Sequence, residues 1–390
     1  MGKTKTRASE RGRAKDREPL KSALALLKTD LPFQQTLAVQ VFPEHPGCVE
    51  IERNATTDRL SAAWLADVFL QGCVDRIETG RRSPLLTEHL MDALGAWATT
   101  RAYLGLEDEA QSVLGQVLKV LEKHPGTVVY GRALRRSAWL SAKFSETAGA
   151  QVRSRVALGA DRDLRTALLE LSALPDADDD IGAVQLDYGH LLLKSRQHER
   201  GRHFLNAALS RLETPHRIFQ ARFLIAFSHV EAGDLITGAE LTAALPEDDP
   251  VQRYAKLHLA ADVHRSAEEP VQAMKLRLEG MELGVQLCGA ERRLDDLIAA
   301  AELSPELPLC HDRQARLTAA AATLENETKD STFLEPAQWA SRGRVPPVEL
   351  RKRLGKRLRQ HHQRILAEEE SPFQDLDINE LQDALTSVGH

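Results

Sequence analysis

Hydrophobic positions recur with a helical period over most of the chain. From Thr57 to about Lys329, apolar side chains return every three or four residues in segments of roughly 12 to 22 residues. Short breaks rich in Gly, Pro, Asp or Asn separate the segments, as in ETGRRSP at 78–84 and LPEDDP at 245–250. This pattern predicts consecutive α-helices joined by tight turns, with neighbouring helices packed as antiparallel pairs.

The pattern differs in the first 56 residues. Residues 1–18 are charged and poor in apolar side chains, so we predict a disordered basic tail. In the segment 19–56, we predict a short helix near Leu20–Lys28. The alternation LAVQVFPEHPGCVEIE at 37–52, centred on a Pro-Gly turn, predicts a small N-terminal β-hairpin. That hairpin would be the only sheet in an otherwise all-α chain.

Small residues recur in pairs twelve positions apart. The first members of the last three pairs are separated by 37 and then 35 residues. A small side chain at such a position lets two helices of one hairpin approach closely. The pairs are Ala98 with Ala110, Gly189 with Gly201, Ala226 with Gly238, and Ala261 with Ala273.

This spacing resembles the tetratricopeptide repeat, a helical hairpin of about 34 residues. The turns YLGLEDEA at 103–110 and EAGDLITGA at 231–239 also resemble the family's turn into its second helix. The resemblance covers roughly residues 85–285, and the units within 182–285 carry most of it. It implies an all-α solenoid of helical hairpins over 57–329, wound as a right-handed superhelix. An ordinary all-helical domain without true repeats is the alternative.

In this family, the first helices of the hairpins line a concave groove that binds peptides or partner helices. The first helices of the three best-matched units contain no asparagine, so the subset of the family that clamps a C-terminal carboxylate is not favoured. Each groove position has a plainer alternative, which is solvent exposure or packing between repeats. Carried over to this chain, the groove positions are His190, Lys194, Phe223, Phe227, Glu231, His258, Asp262 and Arg265.

A second resemblance competes in the N-terminal third. The segment 60–84 resembles the helix-turn-helix of Cro/repressor-type regulators through its run RIETGRRSP. Its internal spacing is about two residues shorter than in that family, and the missing residues belong to the turn that positions the recognition helix. The alternative is a single helix over about Thr57–Thr79, capped by Gly80. If the resemblance holds, the DNA contacts are Arg76, Arg81 and Arg82.

Composition and charge favour a soluble helical protein. The net charge is −6, with 28% charged and only 5% aromatic residues. No apolar run approaches the roughly 18 to 20 residues needed to cross a bilayer, and the basic N-terminus lacks the apolar stretch of a secretory signal. The four cysteines are scattered without a CxxC motif, which argues against a disulfide framework or a zinc site. We therefore expect a cytoplasmic protein.

No motif indicates catalysis. GKT at 2–4 lacks the preceding strand and the upstream glycine of a phosphate-binding loop. LCHD at 309–312 places a thiol, an imidazole and a carboxylate on neighbouring positions, which do not face each other on a helix. His361 and His362 are adjacent rather than four apart, as helical metal ligands would be. We expect no enzyme activity, no cofactor and no metal.

The C-terminal region carries charge of both signs. We predict a linker at 330–347 and then, over 348–390, a basic amphipathic helix followed by an acidic one within 373–388. The basic helix has an apolar stripe at Leu350, Leu354, Leu358 and Ile365, and its cationic positions are Arg351, Lys352, Arg353, Lys356, Arg357 and Arg359. The two helices could pair with each other or dock on another protein. Binding to nucleic acid or an anionic membrane is less favoured, because the acidic run follows so closely.

Together these patterns predict a tetratricopeptide-like scaffold or adaptor. We expect it to bind a protein or peptide through the groove and the charged C-terminal helices. The alternative is a DNA-binding transcriptional regulator, in which the helical array senses a peptide or mediates dimerisation. Nucleic acid is therefore the less favoured partner class, and a homodimer is compatible with the sequence.

Overall fold

The computed structural model describes residues 17–28, 44–81, 83–147, 150–308 and 310–368. These residues form 17 α-helices and no β-strand. The all-α class predicted from the sequence is confirmed for this part of the chain. The helices are α1 Arg17–Lys28, α2 Pro46–Ala55, α3 Arg59–Glu78, α4 Pro84–Tyr103, α5 Glu107–Leu121, α6 Val128–Thr147, α7 Ala150–Ser172, α8 Asp178–Lys194, α9 His198–Leu209, α10 Pro215–Glu231, α11 Leu235–Ala243, α12 Pro250–Ser266, α13 Pro270–Leu287, α14 Ala290–Leu303, α15 His311–Thr328, α16 Glu335–Ser341 and α17 Val348–Glu368.

Consecutive helices pack as hairpins: α2 with α3, α4 with α5, α6 with α7, α8 with α9, α10 with α11, and α12 with α13. The first helix of each hairpin also contacts the first helix of the next, so α2, α4, α6, α8, α10 and α12 form one continuous layer. Each second helix contacts its own first helix and the first helix that follows along the chain. This packing has the order of contacts that a helical solenoid requires.

The predicted small-residue pairs lie where two helices of a hairpin are pressed together. A Cβ atom added to Gly189 would lie 2.6 Å from Leu205 Cγ and 3.1 Å from the Gly201 carbonyl oxygen. A Cβ atom on Gly201 would lie 2.6 Å from Leu193 Cδ2. Larger side chains would force the helices apart, because the interior has no free space to receive them. The alanines of the other pairs, which are Ala98, Ala110, Ala226, Ala261 and Ala273, are 0% exposed.

Four of the hairpin turns share one backbone geometry. In each, a residue with positive φ follows the first helix, namely Gly105, Arg196, Gly233 or Glu268, with φ of 83°, 58°, 82° and 60°. The amide after that residue donates to the carbonyl five positions earlier, as Leu106 does to Arg101 and Asp234 to His229. This is the Schellman geometry that ends a helix with a left-handed residue. The recurrence shows that the turns are structurally equivalent.

The prediction of a β-hairpin is wrong for its second strand, because residues 46–55 form the helix α2. Pro46 occupies the first turn of α2, where its missing N–H is not needed for a helical hydrogen bond. The His45 side chain caps the same turn by accepting from the Gly47 amide at 2.9 Å. Residues 37–43, which include the first arm, lie outside the described residues.

At the N-terminus, α1 confirms the short helix predicted near Leu20–Lys28 and begins slightly earlier, at Arg17. Its buried residues Leu20 and Ala23 belong to the same hydrophobic core as α3–α5. The disordered tail predicted for residues 1–18 lies outside the described residues, apart from the two positions that belong to α1.

The segment that resembles a helix-turn-helix forms one helix. Helix α3 runs without interruption from Arg59 to Glu78, so the turn of a helix-turn-helix is not formed there. The Asp58 carboxylate caps its start by accepting from the Leu60 and Ser61 amides at 3.1 and 3.2 Å. Gly80, with φ of 81°, follows its end. The single-helix alternative is therefore confirmed, and the helix-turn-helix prediction is wrong for this segment.

The predicted linker at 330–347 contains a 3-10 turn, Ser331–Leu334, and the helix α16. Phe333 is 1% exposed and packs in the C-terminal core with residues of α14, α15 and α17. Pro336 lies in the first turn of α16, a position that favours proline, so its presence did not signal a break. Of the helices that are described, none is long and apolar enough to cross a membrane.

Candidate partner-binding site in the first-helix layer

Four buried arginines converge on one side of the first-helix layer. Arg132, Arg135 and Arg136 lie on adjacent turns of α6, and the spacing of three and four residues places them on one face of that helix. Arg217 comes from the first turn of α10 and is 0% exposed. Buried guanidinium groups are rare unless carboxylates pair with them, so their partners define this region.

Some of the carboxylates that pair with these arginines belong to the first-helix layer itself. Arg132 donates to Asp180 of α8 at 2.7 Å and to Asp92 of α4 at 3.0 Å. Arg136 donates through Nη1 to the other oxygen of Asp92 at 2.7 Å. Arg217 donates through Nη1 to Asp179 at 3.1 Å. These contacts link the first helices of consecutive hairpins to one another.

Arg135, Arg136 and Arg217 also pair with a segment from the N-terminal part of the chain. We call this segment, residues 44–58, the inner segment. The Glu44 carboxylate, with a side chain 4% exposed, accepts from Arg136 Nη2 at 2.6 Å and from Arg217 Nη2. Glu52 accepts from the same Arg217 nitrogen and lies 3.4 Å from Arg135 Nη2. One segment thus pairs with arginines from two different hairpins.

The arginines keep both glutamates of the inner segment ionised. Burial alone would raise the pKa of Glu44, but the charges of the surrounding arginines, led by Arg217 and Arg135, hold it well below its usual range. For Glu52, burial acts in the same upward direction, and Arg217 and Arg135 outweigh it to lower the pKa to about 2. Both side chains are therefore carboxylates at neutral pH.

The inner segment continues across the layer to the C-terminal half. Arg53 forms an ion pair with Asp249, which precedes α12, at 2.7 Å. The Thr56 carbonyl accepts from Arg292 Nε at 3.0 Å, and the Thr57 carbonyl accepts from the Gly289 amide at 3.0 Å. The segment therefore contacts elements from α4 to the start of α14.

A cavity of about 120 Å³ lies beside the inner segment. Cys48, Ile51 and Ala55 of the segment form one wall. The opposite wall includes an aromatic pair, Tyr103 and Trp139, whose ring centroids are 4.4 Å apart. Lys143 Nζ lies 5.0 Å from the Tyr103 ring centroid, and the Arg59 guanidinium lies at the same distance. His190 and Gln220 also line the cavity.

The groove positions implied by the repeat resemblance are dispersed. His190 lines the cavity, whereas Lys194, Glu231 and Arg265 are exposed near the C-terminal ends of their helices. Phe223 and Phe227 are half-buried on α10, with nearly parallel rings and centroids 6.5 Å apart.

Two further groove positions, His258 and Asp262, contact the same arginine of α13. His258 Nδ1 lies 2.6 Å from an Arg277 nitrogen, and Asp262 forms an ion pair with the same arginine. Burial, reinforced by Arg277, lowers the pKa of His258 to about 3, so the imidazole is neutral. Since Arg277 belongs to α13, both side chains join α12 to the second helix of their own hairpin.

The basic C-terminal helix α17 docks on the body of the molecule. Its predicted apolar stripe is buried against α14, with Leu350, Leu354 and Leu358 each 2% exposed or less. Arg357 pairs with Asp330 at 2.7 Å, Arg351 lies 3.6 Å from Glu302, and Arg353 pairs with Glu335. Intramolecular docking was predicted against the acidic helix at 373–388, which lies outside the described residues. In the described part of the chain, α17 packs on α14 and forms ion pairs with Asp330 and Glu335 near α16.

The end of α17 reaches the beginning of the array. His362 Nδ1 lies 2.9 Å from Glu291 in the first turn of α14. Gln363 donates to the Leu104 carbonyl at 3.1 Å and to the Gly105 carbonyl at 3.4 Å, at the turn between α4 and α5. The C-terminal helix thus closes the array against its second hairpin.

Other candidate residues remain at the surface. Lys352, Lys356 and Arg359 of α17 are exposed and form no ion pair with any residue that the structure describes. Arg81 is exposed after α3, Arg76 is half-buried, and Arg82 lies outside the described residues. No group of three His, Cys, Asp or Glu side chains suited to a metal ion occurs in the described ranges.

Comparison with known proteins assigns no family to the chain, since no family model and no curated protein matches it. The cluster of buried arginines around Glu44 and Glu52 was also missed by sequence reasoning. A signal for it exists in GRALRRSAW at 131–139, where three arginines occupy the side of a helix that also carries apolar residues. Glu44 and Glu52 gave no comparable signal, because their segment has the alternation of a strand.

Proposed function

We propose that this chain is a non-enzymatic scaffold or adaptor of the tetratricopeptide-like type, which binds a protein or peptide partner. The observation that carries the proposal is the continuous layer of six first helices, from α2 to α12, in the part of the chain that is described. A layer of this kind presents side chains from successive hairpins to one ligand, which is how helical solenoids bind extended partners.

The repeat type is part of the proposal. Four equivalent turns and four small-residue pairs recur along the hairpins, and the family's units have the same two features. We extend the proposal to the right-handed superhelix, because stacking such hairpins with a constant small rotation produces it. The partner contacts that we propose on this surface are the exposed Glu231 and Arg265, with His190 and Lys194 on the neighbouring hairpin.

The exposed face of α17 is proposed as an additional contact. Lys352 and Lys356 are exposed on the side of α17 away from the leucine stripe that holds the helix in place, and the exposed Arg359 lies beside Gly105 at the α4–α5 turn. Because they need not be released from internal ion pairs, they are free to meet an acidic surface on the partner. The docked position of α17 would then keep this cationic surface at a fixed place relative to the layer.

Charge exchange on the layer tests the proposal. The variant Glu231→Lys/Arg265→Glu changes two exposed first-helix positions without altering the net charge. Glu240→Lys/Lys275→Glu makes the same change on second helices α11 and α13 and serves as the matched control. Proteins retained by each tagged variant from the native host are quantified by mass spectrometry. We expect a partner that the control keeps and the first-helix variant loses at least tenfold. Identical partner sets for wild type and both variants would contradict the proposed surface.

The DNA-binding alternative has no support from the geometry of residues 59–78, which form one helix. It stays testable through its charged residues. A salt-dependent shift of a random DNA duplex that disappears on replacing Arg76, Arg81 and Arg82 would favour a regulator. The scaffold proposal expects no such shift at low salt.

A further inference from the structure

Three arginines of the layer leave one nitrogen each for the inner segment. We define Arg135, Arg136 and Arg217 as the arginine site. Arg136 uses Nη1 for Asp92 and Nη2 for Glu44, and Arg217 uses Nη1 for Asp179 and Nη2 for the segment's carboxylates. Arg132 pairs with Asp92 and Asp180, which also belong to the layer. Arg135 likewise lies 3.7 Å from Asp187 of the layer and 3.4 Å from Glu52 of the inner segment, so each arginine of the site meets carboxylates of both.

We propose that the arginine site is a receptor for an acidic amphipathic helix of a partner protein, and that the inner segment occupies this site until such a helix displaces it. The inference rests on the scaffold function proposed above. It adds the binding site, the chemistry of the ligand and the competition between two occupants.

The inner segment has the form of a bound ligand. Glu44 and Glu52 reach the arginine site, while Cys48, Ile51 and Ala55 bury their side chains on the layer. Within α2, the positions of Cys48, Ile51, Glu52 and Ala55 follow the helical spacing of three and four residues, so one face carries both charged and apolar contacts. Glu44 adds a second carboxylate from just before the helix. Helices that dock in grooves use the same arrangement of anchors.

Exchange of the segment is structurally feasible. Helix α2 has ten residues, and an isolated helix of this length is unstable in water, so its helical form depends on the layer beneath it. Displacement of residues 44–55 leaves Asp58, the cap of α3, in place. Ion pairs that are buried gain little net free energy, because dehydration offsets their attraction. Replacing the carboxylates of the segment by those of a competing ligand therefore changes the net free energy of the charged contacts little.

The cavity indicates how a partner could bind more tightly than the inner segment does. The small side chains of Cys48 and Ala55 and the aromatic pair of Tyr103 and Trp139 are among the residues that line its volume of about 120 Å³. Leucine or methionine in place of Cys48 would fill part of this space while keeping the two carboxylates on the arginines. Filling it would add apolar burial without new charge.

Fluorescence anisotropy with a labelled peptide tests the proposal. The peptide has the sequence of residues 44–58 with Cys48→Leu, and a matched peptide also carries Glu44→Gln and Glu52→Gln. Each is titrated against the wild-type chain and against the chain carrying Glu44→Gln/Glu52→Gln, which weakens the internal occupant and leaves the arginine site intact. We expect the acidic peptide to bind the variant at least tenfold more tightly than wild type, and the neutral peptide to lose at least tenfold in affinity. A folded variant that binds neither peptide, or both equally, overturns the proposal.

Circular dichroism shows whether the double variant is folded. If the double variant does not fold, hydrogen exchange of the wild-type chain tests the displacement instead. The acidic peptide at millimolar concentration should speed exchange of the amides in 46–55 at least fivefold, with α8 and α9 unchanged. Exchange in 46–55 that is the same with and without the peptide would refute displacement. The scaffold test alters Glu231, at the opposite end of α10 from Arg217, and Arg265 on α12, so it leaves the arginine site unchanged and failure of one test does not decide the other.

Discussion

The guanidinium group of Arg217 is fully buried and donates to the carboxylate of Glu44, a residue 173 positions earlier in the chain. The pair joins the start of α10 to the residues just before α2, and Asp179 and Glu52 also pair with the arginine. A charge this deep is tolerated only because its partners are charged as well. The contact fixes the inner segment against the centre of the first-helix layer.

Removing the arginine should therefore be costly. For Arg217→Ala we expect a loss of about 3–5 kcal/mol in the free energy of unfolding, since Glu44 is left buried without its main partner. Urea denaturation followed by circular dichroism measures the change. Arg222→Ala alters an exposed arginine on the same helix and should change stability by no more than about 0.5 kcal/mol. Equal effects of the two substitutions would mean that burial of Arg217 does not matter.

The hairpin turns predict stabilising substitutions. Arg196 and Glu268 have positive φ, where a side chain is strained, at positions that glycine occupies in the equivalent turns. We expect Arg196→Gly and Glu268→Gly each to raise the unfolding free energy by roughly 0.5–1 kcal/mol. The reverse change, Gly233→Ala, should lower it by a similar or larger amount. Thermal unfolding of the single variants compares the turns directly, and a destabilising Glu268→Gly would count against their equivalence.

Close packing between the two helices of the fourth hairpin, α8 and α9, can be tested at glycine. In Gly189→Ala, the new methyl group would lie 2.6 Å from Leu205 Cγ, so we expect a loss of about 1–3 kcal/mol. Gly115 on α5 has no atom within 4 Å of an added Cβ. Gly115→Ala should therefore stabilise by about 0.5–1 kcal/mol, because alanine is the better helix former. Denaturant titrations of both variants should give changes of opposite sign.

The buried carboxyl group of Glu88 should make the free energy of unfolding decrease as the pH rises. Burial raises its pKa to about 7, the nearby Asp92 adds to the rise, and Arg132 opposes it. Its unfolded pKa is about 4.3, so its contribution to stability is fully present below that pH and is lost as the pH rises through about 7. Between pH 5 and 8 we expect wild type to lose roughly 2 kcal/mol more than Glu88→Gln. Urea titrations across this range measure the difference, with the exposed Glu240→Gln as a control that should follow wild type.

Docking of α17 depends on its leucine stripe. Leu354 is 0% exposed, so Leu354→Ala should cost about 2–4 kcal/mol through the cavity it leaves. We expect this loss to appear first as faster hydrogen exchange in α17 and at the α4–α5 turn, where Gln363 binds two carbonyls. Lys352→Ala, on the exposed face, should leave the exchange pattern unchanged. Faster exchange throughout the chain after Leu354→Ala would show that α17 is not a separate unit.

Much of the fold could be predicted from short stretches of sequence. Helical periodicity, the breaks between segments and the pairs of small residues depend on neighbours within about 40 positions, which is the scale of one repeat. The single helix at Arg59–Glu78 and the leucine stripe of α17 were likewise visible in local spacing. The helix at 46–55 was missed, because alternating residues around Pro46 suit a strand as well as a short buried helix.

By itself, the sequence determined that the chain forms helical hairpins, where they turn and which small residues let them pack, because these properties depend on local backbone preferences and apolar spacing. Only the tertiary structure decided that Arg135, Arg136 and Arg217 meet Glu44 and Glu52, and that α17 closes on α14 and the second hairpin. These contacts join residues far apart in sequence. Their partners are selected by complementary charge and shape after the hairpins have stacked, and no local pattern carries that information.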